Sequence, residues 1–294
     1  MHSRSRKIPV EGPLDLKATL RPLHGFFGRD GWWFPARTPD GPGSIRLSRP
    51  TIGMVEGEAW GDGGSWLLER LDAFAGLEDD PRTFTTHDPL VADLHRSHPG
   101  WRFARSGLVF PFLVNAIVAQ KVTGQEARAA MKGLTAVFGE PAPGPNRDLR
   151  LPPDPELMAA APYWRYHEMH LEKRRADVLR LVAAHAVDIA RLGAVDSGGA
   201  ASSLLSLPGV GVWTVAKTLG PSHGDADQVE VGDFHLKHIV VHHLTGRARG
   251  TDAEMLELLE PFRPHRGRVV RLLHSLGPEP KFGPRARARD ITTL

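Results

Sequence analysis

The stretch that most limits the fold is Leu207-Pro208-Gly209-Val210-Gly211-Val212-Trp213-Thr214-Val215-Ala216-Lys217. A proline and two glycines turn a chain sharply, because glycine takes backbone angles closed to other residues. Apolar, helix-compatible runs flank the turn, "SSLLSL" before it and "VWTVAKTLG" after it, so it reads as a join between two helices. The second helix then begins with unpaired N–H groups and the positive end of its dipole, which suits a phosphate oxygen. A packing turn without any ligand has the same local sequence. The rest of the chain has to separate the two.

That rest divides by character. Residues 1–86 are rich in Gly, Pro and Trp: "WWFPAR", "GSIRLSR" and "TIGMVEGEAWG" read as short strands parted by turns, and "SWLLERLDAFAGL" as an amphipathic helix capped by Ser65. Trp32 and Trp33 read as sheet core. Residues 87–277 run helix after helix, beginning with the nearly all-apolar "FPFLVNAIVAQ" and an amphipathic helix up to Gly139. A Pro-rich connector at 139–156 reads as a surface loop, and "EKRRADVLRLVAAHAVDIARL" as one helix. Residues 278–294 form a basic, helix-poor tail. The expected fold is α+β, mainly α: a helical bundle carrying a small N-terminal antiparallel sheet.

With 294 residues there is ample apolar content for real cores, and the net charge of +3 permits a nucleic-acid partner without establishing one. Cysteine is absent, which excludes disulfides, thiol catalysis and iron–sulfur clusters. No apolar run reaches membrane-spanning length, and no apolar segment follows Met1–Lys7 to act as a secretory signal. A soluble cytoplasmic protein, without a membrane partner, is expected.

Beyond the turn, "PSHGDADQVEVGDFHLK" brings an aspartate, Asp233, in Val231-Gly232-Asp233-Phe234, with Leu236-Lys237 following. Turn and aspartate together resemble the helix-hairpin-helix, Gly/Pro-rich-loop-and-Asp superfamily of DNA glycosylases, and within it the AlkA-like, 3-methyladenine DNA glycosylase II branch. Collinear support comes from "LVNAIVAQKVT", "MHLEKRRADVLRLV" and "PFRPHRGRVVRLLH", so the likeness spans residues 88–277. The sheet-like start is consistent with the extra domain of this branch. The resemblance implies a monomeric enzyme of base excision repair, working near the nucleoid, that flips a damaged base out of double-stranded DNA and breaks its N-glycosidic bond. It implies no cofactor. Asp233 would stabilise the oxocarbenium-like sugar and activate water, the logic shared with glycoside hydrolysis. Gly209, Val210, Gly211 and Thr214 would meet the DNA backbone. Gln120 would bind DNA, Lys121 at the wedge position after it would enter the duplex, and the carbonyls of Leu207 and Val210 would hold a monovalent cation.

Members of this superfamily that also cut the strand carry a lysine where this chain has Trp213, so the resemblance implies excision without lyase activity. Trp213 and Phe234 would wall the base pocket. Lys217 stands where a tyrosine is frequent, Leu276 where an aromatic is expected, and Lys121 where a bulky apolar residue is usual. Such a pocket suits cationic bases less well and neutral lesions better.

Other readings stay open. Asp233 precedes a helix and suits an N-cap, and Asp225, Asp227 and Glu230 compete with it by position. Trp213 suits simple packing. His238 and His242 have the one-turn spacing of zinc ligands but lack the glutamate of that motif. Basic groups at Lys173-Arg174-Arg175, at Arg263, Arg266 and Arg268, and at Arg285, Arg287 and Arg289 read equally as phosphate contacts or as solvated faces. A non-catalytic DNA-binding protein that uses the hairpin to recognise distorted DNA is the alternative function.

Overall fold

The computed structural model describes residues 3–277. Alternating side chains build the sheet first: β1 (Arg4–Pro9), then α1 (Leu16–Leu20), β2 (Phe26–Gly28), β3 (Gly31–Thr38), β4 (Gly41–Ser48) and β5 (Met54–Gly61). All neighbours are antiparallel, in the order β1-β5-β4-β3-β2. The first strand, which the sequence reading did not single out, closes the edge beside β5. Period-2 alternation sends Trp32 and Trp33 to opposite faces. Trp32 stacks on Phe34 at 5.2 Å on the face covered by helices, whereas Trp33 stacks on Trp60 at 5.1 Å on the other face. The Pro-rich connector straps that second face: Leu149 packs on the two tryptophans, and Ser44 Oγ donates to the Pro143 carbonyl.

The helix expected from Ser65 differs in detail. It runs as α2 (Gly64–Glu69) and α3 (Leu71–Phe74), is preceded by Gly63, and has no side-chain cap. Between the two, Arg70 leaves helical geometry and lays its guanidinium 3.7 Å from the Trp66 ring centroid. The break keeps Leu67, Leu68, Leu71 and Phe74 all against the sheet.

The helical region follows as α4 (Pro89–Ser97), α5 (Val109–Val118), α6 (Gly124–Phe138), α7 (Pro155–Ala160) and α8 (Tyr163–His167). Next come α9 (Lys173–Ala184), α10 (Ala186–Arg191), α11 (Ser197–Leu205) and α12 (Val212–His223). The last are α13 (Leu236–Thr245), α14 (Asp252–Leu259) and α15 (Arg266–His274). The long helix expected over 172–192 breaks at His185 into α9 and α10. Starts are set locally. Thr123 and Glu126 form a reciprocal capping box on α6, and Thr251 and Glu254 do the same on α14. The tail at 278–294 lies outside the described residues.

Helix α5 is apolar on all sides because it is enclosed: Phe112 enters the sheet core, while Leu113 and Ile117 enter a second core with Leu134, Tyr166 and Leu219. A third core joins α4 to α13–α15 through Val91, Leu236, Ile239, Met255 and Val269. The helical region therefore has two apolar centres, and α12 and α13 belong to different ones.

Buried cations tie the third core to the sheet side. Arg268, 3% exposed, is paired with Asp79. Arg271 donates to the carbonyls of Arg102 and Ala18, and burial together with neighbouring Arg268 pushes its pKa down to about 10. Asp79→Ala leaves a buried guanidinium without its partner, and a urea melt is expected to show a loss of about 3 kcal/mol. Desolvation also lowers the pKa of His24, His95, His243 and His265 from the ordinary 6.5. Below that value the unfolded chain binds more protons than the folded one. Stability should therefore be full above pH ~6.5 and fall as the pH drops through the lowered folded values, read as a decreasing urea midpoint.

Candidate active site

The turn joins α11 to α12. Gly209 takes φ +84°, and a Cβ there would collide with Val178 of α9, so both backbone and packing require glycine. Gly211 differs. It is extended at φ −110°, exposed, and a Cβ there would meet nothing within 4 Å. Neither conformation nor packing requires a glycine at that place; its bareness leaves the start of α12 open to a ligand. No side chain caps α12, so its first-turn N–H groups, which have no intrahelical acceptor, point outward.

Gln120, at the end of α5, fastens this turn. Its Nε2 donates to the Gly209 carbonyl at 3.0 Å and to Thr214 Oγ1 at 2.9 Å. Lys121 follows at φ +54°, an uncommon left-handed conformation for a side-chain-bearing residue, and stands exposed at the tip between α5 and α6. Sequence order alone does not place this tip beside the hairpin. The Gln120 bonds do.

Asp233 comes to the same place from the other side. Its Oδ1 accepts from the backbone N–H of His235 at 2.8 Å and of Leu236 at 3.0 Å, in the turn that leads into α13, whose N-cap position is His235 rather than Asp233. Its Oδ2 lies 3.4 Å from Trp213 Nε1. The loop carrying it is held by Asp252, which accepts from Gly232 N at 3.0 Å and from Lys237 Nζ at 3.3 Å, while Lys237 reaches back to the Asp233 carbonyl at 3.3 Å. A carboxylate and an indole are thus brought together at the bare start of a helix, each fixed by its own element.

Solved structures share this architecture. The 3-methyladenine DNA glycosylase of Archaeoglobus fulgidus matches with a TM-score of 0.74 at 16% identity, over 92% of this chain and 97% of its own. The apo form of an 8-oxoguanine glycosylase/lyase from Clostridium acetobutylicum matches at 0.67 and 13% identity, over 92% and 96%. A Schizosaccharomyces pombe 3-methyladenine DNA glycosylase, solved with abasic DNA, matches at 0.53 and 17% identity, over 66% and 95%. The chain has the helix-hairpin-helix DNA glycosylase fold. No protein-family model and no curated protein matches the sequence.

Within this glycosylase fold the competing carboxylates have other partners. Asp225 accepts from Ser197 and Gln228, Asp227 takes Arg266 bidentately at 2.9 and 2.7 Å, and Glu230 pairs with Lys217. Thr214 is 2% exposed and its hydroxyl is taken by Gln120, so it steadies the hairpin from inside rather than facing a ligand. Val210 buries its side chain and offers only backbone. Of the basic groups, Lys173, Arg174 and Arg263 stay exposed, whereas three arginines turn inward. Arg175, 5% exposed, donates to the Val118 carbonyl at the end of α5, Arg268 is consumed by Asp79, and Arg266 by Asp227. Arg285, Arg287 and Arg289 lie outside the described residues. His242 Nδ1 lies 3.3 Å from the Arg247 carbonyl, and His238 Nδ1 accepts from Gly250 N.

The expected pocket walls separate. Lys217 lines a cleft of about 890 Å³ between the sheet and α5–α6, together with His24, Phe26, Phe110 and Phe112. Phe234 instead stands 71% exposed with its edges toward His235 and His238, because the turn at Asp233 directs the next side chain outward. Leu276 follows the end of α15 and is 43% exposed; of the four expected walls Lys217 lines the cleft, and Trp213, Phe234 and Leu276 do not. His24 was missed by sequence reading. It sits at φ +57°, exposed on the wall of the cleft, and desolvation by the surrounding residues, then the Lys217 charge, disfavours its protonation. A lone His-Gly after an apolar run carries no pattern to announce it.

Two glycine substitutions test the hairpin. Gly209→Ala should lower the unfolding free energy by about 2 kcal/mol or more, whereas Gly211→Ala should melt within about 0.5 kcal/mol of the parent. A bulkier Gly211→Glu should keep the fold yet weaken duplex DNA binding about tenfold or more in fluorescence anisotropy, through lost access and added negative charge.

Proposed function

We propose that this chain is a monofunctional DNA glycosylase, hydrolysing the N-glycosidic bond of an alkylated or deaminated purine flipped out of double-stranded DNA. The observation that carries this is the Asp233 carboxylate, held by the backbone of the turn before α13 and set against Trp213, at the open start of α12. The hairpin N–H groups grip a phosphate and so deliver the adjoining deoxyribose to the aspartate. Lys121, at the exposed tip clamped by Gln120, fills the gap in the duplex with its stem while its ammonium meets a phosphate.

As the C1′–N bond lengthens, positive charge grows on the sugar. Asp233 Oδ2 lies opposite that charge and orients or deprotonates the attacking water, while Oδ1 stays bound to backbone and keeps the carboxylate from turning. The electron pair of the breaking bond leaves with the base, water oxygen bonds to C1′, and the water proton passes to the aspartate and then to solvent. The carbonyls of Leu207 and Val210 are hard oxygen donors of the kind that hold a monovalent cation. The Leu207 carbonyl already accepts from Val210 N at 3.1 Å and retains a second lone pair. A cation there would add positive charge beside the phosphate.

Duplexes carrying hypoxanthine or 7-methylguanine provide the test. Asp233→Asn keeps a side-chain oxygen for the same backbone N–H groups and should melt near the parent, yet lose base release by about a hundredfold or more. Equal release by both proteins would remove Asp233 from the mechanism. DNA binding without release by either would favour a non-catalytic hairpin protein. Borohydride should trap no covalent protein–DNA adduct, since Trp213 cannot form a Schiff base.

A further inference from the structure

We infer that Lys217 selects the base in this site, and that it favours an uncharged purine bearing a carbonyl oxygen over one made cationic by alkylation. This rests on the glycosylase reading above and narrows its substrate class. Trp213 and Lys217 lie one turn apart on α12, so their side chains leave the same face. The Lys217 ammonium stands 5.7 Å from the Trp213 ring centroid and 3.3 and 3.4 Å from the two Glu230 oxygens. Lys217 lines the aromatic cleft, whereas Trp213, Glu230 and Asp233 do not, so Lys217 is the residue that joins the cleft to the Trp213–Asp233 site.

An indole face is the feature that would draw a cationic base into such a site. Here the chain supplies its own cation to that face and anchors it by an ion pair. A base carrying a full positive charge must displace Lys217 from both the ring and Glu230, or else approach an ammonium of like sign. A neutral purine with a keto oxygen meets a donor instead. An ammonium has three N–H groups and no acceptor, and Glu230 engages it from one side only. His24 across the cleft is held back from adding a second charge, because desolvation and then the Lys217 charge disfavour its protonated form. The neutral form of an imidazole offers one donor and one acceptor to a base edge. Lys217 is therefore a specificity residue. Glu230 acts through it, as a positioning residue.

Full-length protein is tested on three duplexes identical except at one position: hypoxanthine, 8-oxoguanine and 7-methylguanine. Single-turnover release, corrected for spontaneous loss, should favour the better of the two keto purines over 7-methylguanine by about tenfold. Because 7-methylguanine is the more labile base, affinity is read as well. The inert Asp233→Asn protein should bind the keto-purine duplex more tightly in the same order. Lys217→Met should erase the preference in both readouts, and Glu230→Gln should weaken it. Wild-type protein that releases and binds 7-methylguanine as well as the keto purines overturns the selection alone. So does a folded Lys217→Met protein whose ratio is unchanged; should that variant fail to fold, an unchanged ratio in Glu230→Gln overturns it instead. Release of none of the three bases, with binding to an abasic duplex retained, overturns the glycosylase reading itself and this inference with it.

Discussion

One oxygen of Asp233 belongs to the backbone, and the site depends on that commitment. A carboxylate on a loop would turn freely and lose its direction. Here Oδ1 takes the N–H groups of His235, just before α13, and of Leu236, its first residue, so the second oxygen is aimed by the backbone turn rather than by the side chain's own torsions. Structural and chemical readings of this aspartate are thus one reading. The turn is what makes the other oxygen available in a fixed place, facing the Trp213 indole.

The two halves of the site rest on separate apolar centres. Trp213 and the hairpin ride on α12, packed with α5 through Val215 and Leu219, whereas Asp233 leads into α13, packed with α14 and α15. Preorganisation therefore requires ties across the seam. Arg266 on Asp227, in the segment between α12 and α13, supplies one; buried Arg268 on Asp79 ties the third core to the sheet side, and buried Arg175 fixes α9 to the end of α5 within the other centre. Three cations that a sequence reader would offer to a phosphate backbone, Arg175, Arg266 and Arg268, are used to fix geometry instead. What remains for an anion at the hairpin is largely main chain, the N–H groups at the start of α12, with Lys121 exposed at the neighbouring tip.

Much was legible in the sequence where short-range physics governs. The Pro-Gly-Val-Gly turn, the three central strands β3, β4 and β5, the apolar character of α5 and the backbone bonds of Asp233 before α13 follow from φ/ψ limits, alternation and local hydrogen bonding, which act within a few residues. Errors cluster where a boundary depends on packing. The helix from Ser65 breaks at Arg70 so that successive leucines reach the sheet, and the helix over 172–192 breaks at His185. Phe234 looked like a pocket wall because it neighbours Asp233, but the turn that aims the carboxylate inward sends the next side chain out.

The sequence by itself determined that a bare glycine turn starts a helix and that an aspartate leads into another farther on. Each is a local decision of backbone angle and orphan hydrogen bonds. Tertiary structure alone decided which carboxylate remained to face Trp213, since Asp225, Asp227 and Glu230 differ from Asp233 in their partners rather than in their type. It also decided that Lys217 lies over the Trp213 ring and that His24, far away in the chain, faces the same cleft. Ion pairs and ring contacts of this kind form only after the cores have brought distant segments together, and no spacing along the chain encodes them.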